Sequence, residues 1–260
     1  MIKYLLLLAI TLFATTSHAV VDENTYQKIT NLIKSTISDK IDNKIELKFT
    51  TKVNELPNAF AKKNGKDVWE ITVHDSLLTL NNISSSSLAM ILCHEVGHFM
   101  GDKPYVQGRQ LTPAVRSRAP KEMSCEGQAD YYAATSCLKD LIANAPELFN
   151  DHQIFPNLFS LNDECQKNRD PKICENMLHI SYETTLVYQD LMRALDVHER
   201  FQGILNNNSA ERTLNYVGEY PTLDCRFETF VRGTLCNEEN TKECEQSQWS
   251  RPSCWFVDSD

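Results

Sequence analysis

The sequence predicts an α+β fold, because a stretch with helical spacing precedes two short stretches with strand patterns, and further helical stretches follow. Residues 24–42 carry apolar side chains three or four positions apart, which predicts an amphipathic helix. Residues 45–53 alternate apolar and polar side chains, the period of a strand with one buried face. The tract VWEITV at 68–73 follows the turn signal Asn64-Gly65 and predicts a second strand. A small sheet beside helices is therefore expected.

The serine run 84–87 supplies N-cap candidates for the next helix, which continues through Phe99. Gly101 and Pro104 are typical of a helix end, so this helix is expected to stop near residue 100. Further helices are predicted over 121–138, 173–203 and 223–234, with an irregular region at 150–172.

The first nineteen residues have the pattern of a signal peptide. Lys3 precedes the apolar run 4–13, and Ser17-His18-Ala19 is a small-x-small cleavage site. A membrane anchor is the alternative, but the run is shorter than the roughly 20 residues that a spanning helix needs. The mature chain is therefore expected to begin near Val20, to be periplasmic or secreted, and to lack a membrane span.

The remaining length, residues 20–260, suits a single domain. The full chain has a formal net charge of −9, which disfavours binding to nucleic acid. Nine cysteines lie downstream of the predicted signal peptide, and in an exported protein they indicate a disulfide framework. The cysteine-rich stretch from about 220 to 260 is expected to form a stapled C-terminal cap.

Because the number of cysteines is odd, one thiol must be left over. Cys125 and Cys137 are not expected to pair, since twelve residues of one helix would hold them about 18 Å apart, beyond the reach of a disulfide. Short loops favour pairing Cys165 with Cys174, Cys236 with Cys244 and Cys225 with Cys254, which leaves Cys93, Cys125 and Cys137 to share one bond and one free thiol.

The segment His94-Glu95-Val96-Gly97-His98 places two imidazoles four residues apart, on one face of the predicted helix. Both rings can then reach one metal ion, and Glu95 lies beside the open coordination position as a candidate catalytic base. A catalytic zinc normally takes a third protein ligand, so a downstream helix is expected to supply one.

The segment EGQADYYA at 126–133 supplies that candidate ligand. Glu126 and Asp130 lie one helical turn apart, so Glu126 can bind the metal while Asp130 orients a liganding histidine. One zinc ion per chain is therefore expected, with His94, His98 and Glu126 as its ligands.

These motifs resemble the gluzincin metallopeptidases, specifically the family that contains the HtpX-type membrane proteases and the CAAX prenyl proteases. The sequence Asn58-Ala59-Phe60-Ala61 is similar to the family's NAFA motif, and Pro221 with Arg226 is similar to its HPxxxxR segment. The resemblance implies a zincin-like fold with a small antiparallel or mixed sheet, whose edge strand lies beside the HExxH helix and a second ExxxD helix.

The resemblance also implies roles for residues outside the metal site. Asn58 and Ala59 would hold the substrate backbone, and Arg226 is a further substrate-binding candidate. Where the family usually has a histidine before the proline, this chain has Tyr220, a candidate for stabilising the oxyanion. The sequence also departs from many members because the expected mature chain has no transmembrane helices.

The expected function is an exported zinc endopeptidase that hydrolyses peptide bonds in extended or unfolded polypeptides through a metal-activated water. The main alternative is a non-catalytic exported module that zinc stabilises and that binds or chaperones other proteins. A second alternative is a latent enzyme in which Cys93 or another leftover thiol caps the metal.

Overall fold

A computed structural model describes residues 21–65, 67–105, 123–203, 221–236 and 249–256. The first helix, α1, spans Glu23–Ile37 and begins where the Asp22 side chain accepts a hydrogen bond from the Thr25 backbone N–H. Its buried face follows the predicted apolar spacing, so the sequence prediction for this helix is confirmed.

Three strands form a mixed sheet in the order β1-β3-β2: β1 (Glu46–Lys52), β2 (Ala59–Lys63) and β3 (Val68–His74). β1 pairs in parallel with β3, and β2 pairs antiparallel with it. The two predicted strands and the α+β class are confirmed. The predicted strand 45–53 extended too far, because Val53 lies beyond the end of β1 and is 66% exposed.

Helix α2 spans Ser85–Met100, and the Ser84 hydroxyl caps it by accepting a hydrogen bond from the Ser87 N–H. The helix ends at Gly101, as predicted. Every residue from Ser85 to His98 is buried, because strands, α1 and later helices cover α2 on all sides. A helix in this position can carry polar side chains only if other buried groups satisfy them.

The second site helix begins later than predicted. Helix α3 spans Glu126–Tyr132, passes through a π-helical turn at Ala133–Cys137, and continues as α4 over Leu138–Asn144. Residues 123–125 are not helical, since Ser124 forms a bridge with Tyr105 and donates its N–H to the His98 carbonyl. The predicted start near residue 121 is therefore wrong over 123–125, and the helix continues past 138.

The remaining helices are the short α5 (Asn162–Cys165), α6 (Pro171–Ala194) and α7 (Leu223–Leu235). The region before α6 is mostly irregular, with a 3₁₀ segment at Pro156–Leu161. Helix α7, which the sequence interpretation assigned to the C-terminal cap, packs against α6 and α3 within the central hydrophobic core. Residues 249–256 instead cover Gly127, whose Cα lies against the Trp255 ring.

The disulfides join elements that carry the site. Cys93 of α2 is bonded to Cys137 in the π-helical turn, and Cys125 is a buried free thiol. Cys125 and Cys137 are therefore not paired, as predicted. Cys236 is disulfide-bonded, and its predicted partner Cys244 lies outside the described residues. The predicted pairs Cys165 with Cys174 and Cys225 with Cys254 are confirmed.

None of the helices in the described ranges is long and apolar enough to cross a membrane. The predicted signal peptide lies outside those ranges.

Candidate functional site

Two histidines and two glutamates converge where α2 meets the first turn of α3. His94 Nε2 lies 3.3 Å from Glu126 Oε2, and His98 Nε2 lies 3.7 Å from Glu126 Oε1. Two atoms bound tetrahedrally at zinc–ligand distances are separated by about 3.3 Å, so these spacings are those of a shared metal shell. Glu95 Oε1 lies farther away, 3.9 Å from His94 Nε2.

Both imidazoles are oriented by a hydrogen bond on their other nitrogen. His94 Nδ1 lies 2.7 Å from Asp130 Oδ1, and His98 Nδ1 lies 2.9 Å from the Ser124 carbonyl oxygen. Because carboxylate and carbonyl oxygens only accept, each Nδ1 carries a proton, and a bound metal would take the lone pair of each Nε2. The donor set therefore fits a divalent zinc ion bound by two imidazoles and a carboxylate.

Asp130 is fully buried and is held by Arg226 of α7. The guanidinium donates from Nε to Asp130 Oδ2 at 2.9 Å and from Nη2 to Oδ1 at 2.7 Å, a bidentate pair. The Arg226 Cζ also lies 3.8 Å from the centroid of the Tyr188 ring. Burial lowers the pKa of Arg226, but the charge of Asp130 outweighs burial and raises it, so the arginine stays charged.

The close approach of α2 and α3 depends on Gly97. A Cβ at this position would lie 2.6 Å from the Ala129 carbonyl oxygen and 2.8 Å from its Cα. Only a glycine allows this contact, and the contact brings the start of α3 near His94 and His98. Packing therefore requires glycine at Gly97, the second variable position of the HExxH segment.

Burial and charge set the protonation of the metal-binding candidates. Burial lowers the pKa of His94, but the charge and hydrogen bond of Asp130 outweigh burial and raise it to about 10. Burial raises the pKa of Glu126, but the charge of His98 and the contacts with His94 outweigh burial and lower it to about 2. Glu126 is thus a carboxylate ready to bind a cation, and metal binding must displace a proton from His94.

Residues 24–112 match the model of Peptidase family M48. This part of the chain is therefore similar to the M48 metallopeptidases. No match to the chain is found among curated proteins or among solved structures. The M48 match covers the strands and the whole HExxH helix, and it ends before Glu126. This similarity supports a peptidase activity, and the M48 family is zinc-dependent.

Glu95 borders the histidines and is 5% exposed. Burial raises its pKa, against the opposing charges of His94 and His98. Glu95, His94 and His98 could themselves bind a cation, since one ligand atom from each lies within 4.8 Å of the others. The Glu126 carboxylate lies closer to His94 and contacts both imidazoles, so it fits the position of a third ligand better than Glu95 does.

A cavity of about 510 Å³ opens above these groups. Strand β2 forms one side, and the C-terminal end of α6 with the residues that follow it forms the other. Asn58 and Ala59, which the family resemblance makes candidates for holding the substrate backbone, line the β2 side, and the Asn58 carbonyl already accepts a hydrogen bond from the His74 N–H. Tyr220 lies outside the described residues.

Two sequence interpretations change in light of these contacts. Arg226 lines the cavity, but its guanidinium is bound to Asp130, so its main observed contact is with the metal-site carboxylate. Cys93 is not available as a thiol cap, because it is disulfide-bonded to Cys137. The sequence did not predict Tyr188, which lines the cavity and contacts Arg226. A single tyrosine far in sequence from the HExxH segment belongs to no motif.

Proposed function

We propose that this protein is an exported zinc endopeptidase of the M48 family that hydrolyses peptide bonds in extended or unfolded polypeptides. One observation carries the proposal: the Nε2 atoms of His94 and His98 and the carboxylate of Glu126 converge at a cavity bordered by the edge strand β2. Zinc held by these three residues would supply Lewis acidity, which acidifies water and polarises a carbonyl group.

Glu95 is the base in this proposal. It lies beside the histidines, 3.9 Å from His94 Nε2, and burial raises its pKa, which makes the carboxylate a stronger base. Its carboxylate takes a proton from the attacking water and delivers it to the leaving nitrogen as the peptide C–N bond breaks. Asp130 and Arg226 position His94, since they act on its Nδ1 and not on the substrate.

The register of β2 identifies the backbone groups that can hold a substrate. Asn58 pairs with β3 through its carbonyl, and pairing alternates along an antiparallel ladder. Ala59 and Ala61 therefore direct their N–H and C=O groups away from β3, towards the cavity that both residues line. An extended peptide can add to this edge through main-chain hydrogen bonds, which favours substrates that are locally unfolded.

Export is supported by the disulfides, which persist in oxidising compartments. The periplasm or the extracellular space is the proposed location.

Cleavage in the middle of a chain, not at its end, is proposed because a strand edge binds main chain on both sides of the scissile bond.

Two glutamate variants test the proposal. Glu95→Gln should abolish cleavage of an unfolded protein substrate while zinc content and melting temperature stay close to those of the parent. Glu126→Gln should be equally inactive but should also lose zinc, because an amide is a weak ligand and metal binding contributes to folding. Metal analysis and melting with and without chelator distinguish the two. Cleavage by Glu95→Gln at the parent rate would exclude Glu95 as the base.

A further inference from the structure

The side of the cavity opposite β2 is apolar and consists of Leu191, Met192, Leu195 and Val197, here called the apolar wall. Leu191 and Met192 lie in the last turn of α6, and the other two follow the helix end. Leu195 is 44% exposed and Val197 46% exposed, although both are large apolar side chains. Exposed apolar residues that border a catalytic cleft are typical of binding surfaces.

The apolar wall is built by a defined helix cap. Val197 donates its N–H to the Met192 carbonyl, and Asp196 donates to the Arg193 carbonyl, which is the Schellman pattern. This motif requires a left-handed conformation at Asp196, whose φ is 61°. The Asp196 side chain points outwards, since it is 97% exposed. The motif therefore presents Leu195 and Val197 to the cavity and keeps the intervening charge outside.

The charged residues that line the cavity do not offer a partner to a polar substrate side chain at the apolar wall. Among the described residues that line the cavity, the charged side chains besides the histidines are Glu95, Glu126 and Arg226. The first two belong to the proposed catalytic centre, and Arg226 is paired with Asp130. A charged or strongly polar substrate side chain facing the apolar wall would lose its hydration without gaining a hydrogen bond.

We propose that the apolar wall selects substrates with a large aliphatic or aromatic side chain next to the scissile bond. An extended peptide bound along β2 directs every second side chain to the same face, so one residue near the cleavage point must face the wall. This inference rests on the proposed peptidase function. It adds a substrate class, namely unfolded polypeptides rich in apolar residues, to a site whose chemistry does not depend on side-chain identity.

A peptide library cleaved by the full mature protein tests the inference, with cleavage sites read by mass spectrometry. The parent should show one position beside the scissile bond where Leu, Ile, Met or Phe is preferred over Ala or Asp by more than about tenfold in kcat/KM. Val197→Asp should remove most of that preference. Ile154→Asp is the matched control, because Ile154 is 59% exposed and does not line the cavity, and it should retain the parent preference.

Equal cleavage of all peptides by the parent, or an unchanged preference in Val197→Asp, would overturn the inference while leaving the peptidase function intact. If the parent cleaves nothing, the proposed function fails. The inference about the apolar wall is then tested by peptide binding instead of cleavage. Fluorescence anisotropy of Glu95→Gln with a leucine-containing peptide and its Leu→Asp counterpart should then show a preference of about tenfold or more for leucine. Equal affinity for the two peptides would overturn the inference.

Discussion

The two sides of the cavity are built by different physical means. The metal-binding side, formed by His94, Glu95, His98 and Glu126, is packed between helices and oriented by buried hydrogen bonds and charges. The apolar wall has no such bonds between side chains in the described structure and is held by backbone hydrogen bonds at a helix end. Substitutions should therefore affect stability and metal binding on the first side, and substrate preference on the second.

The largest expected effect on the metal-binding side comes from Arg226→Met. This change leaves the Asp130 carboxylate fully buried without its guanidinium partner, which should lower the free energy of unfolding by about 3–5 kcal/mol. Urea denaturation of the zinc-loaded protein measures the change. The double variant Asp130→Asn with Arg226→Met removes both charges and should be more stable than Arg226→Met. Equal stability of the two would show that Asp130 does not depend on Arg226.

The start of α2 should make stability depend on pH through Glu183, which accepts a hydrogen bond from the Ser84 hydroxyl. Burial raises the pKa of Glu183 from 4.5 to about 7 in the folded protein, partly opposed by that hydrogen bond. The unfolded chain then loses this proton at lower pH than the folded protein does. The contribution of protonated Glu183 to stability is therefore fully present below pH 4.5 and is lost as the pH rises through about 7. The loss should be about 3 kcal/mol.

Glu183→Gln is the matched variant for this pH dependence, since it keeps the shape but cannot lose a proton. Chemical denaturation of parent and variant between pH 4 and pH 8 isolates the contribution of Glu183, because other titrating groups such as His152 and His179 are common to both. Parallel curves for the two proteins would contradict the prediction.

A smaller effect is expected where the two site helices touch. Gly97→Ala places a Cβ against backbone atoms of Ala129, which cannot rotate away, so the helices must separate. We expect a loss of about 1–3 kcal/mol in the free energy of unfolding. Weaker zinc binding should accompany it, since Glu126 moves with α3. Ala129→Gly should not rescue the variant, because the clash involves main-chain atoms; rescue would place the strain elsewhere.

The smallest effect is expected on the apolar wall. Asp196 has a φ of 61°, a conformation that costs a residue with a Cβ about 1 kcal/mol and costs glycine little. Asp196→Gly should therefore raise the free energy of unfolding by up to about 1 kcal/mol and leave substrate preference unchanged. Thermal melting and the peptide library measure both quantities. A changed preference would show that the exposed carboxylate, and not only the apolar wall, contributes to substrate selection.

Local patterns in the sequence were sufficient for much of this fold. The apolar spacing of α1, the strand patterns of β1 and β3 and the capped start of α2 at Ser84 depend on neighbouring residues, and all were predicted. The start of α3 was predicted too early because its limit is set by a distant contact. Ser124 bonds to the His98 carbonyl and Cys125 to the Pro104 carbonyl, and neither contact has a local sequence signal.

The sequence by itself determined the residue types of the site, since the spacing of His94 and His98 puts both rings on one helical face. Tertiary structure decided which groups orient them: a main-chain carbonyl at Ser124, which any residue type could supply, and the Asp130–Arg226 pair, whose members are 96 residues apart. The apolar wall was decided in the same way, because Val197 faces the cavity only through the cap of α6 and the packing of that helix against α2. Helical periodicity acts over a few residues and is visible in the sequence, whereas contacts between distant segments exist only after the chain has folded.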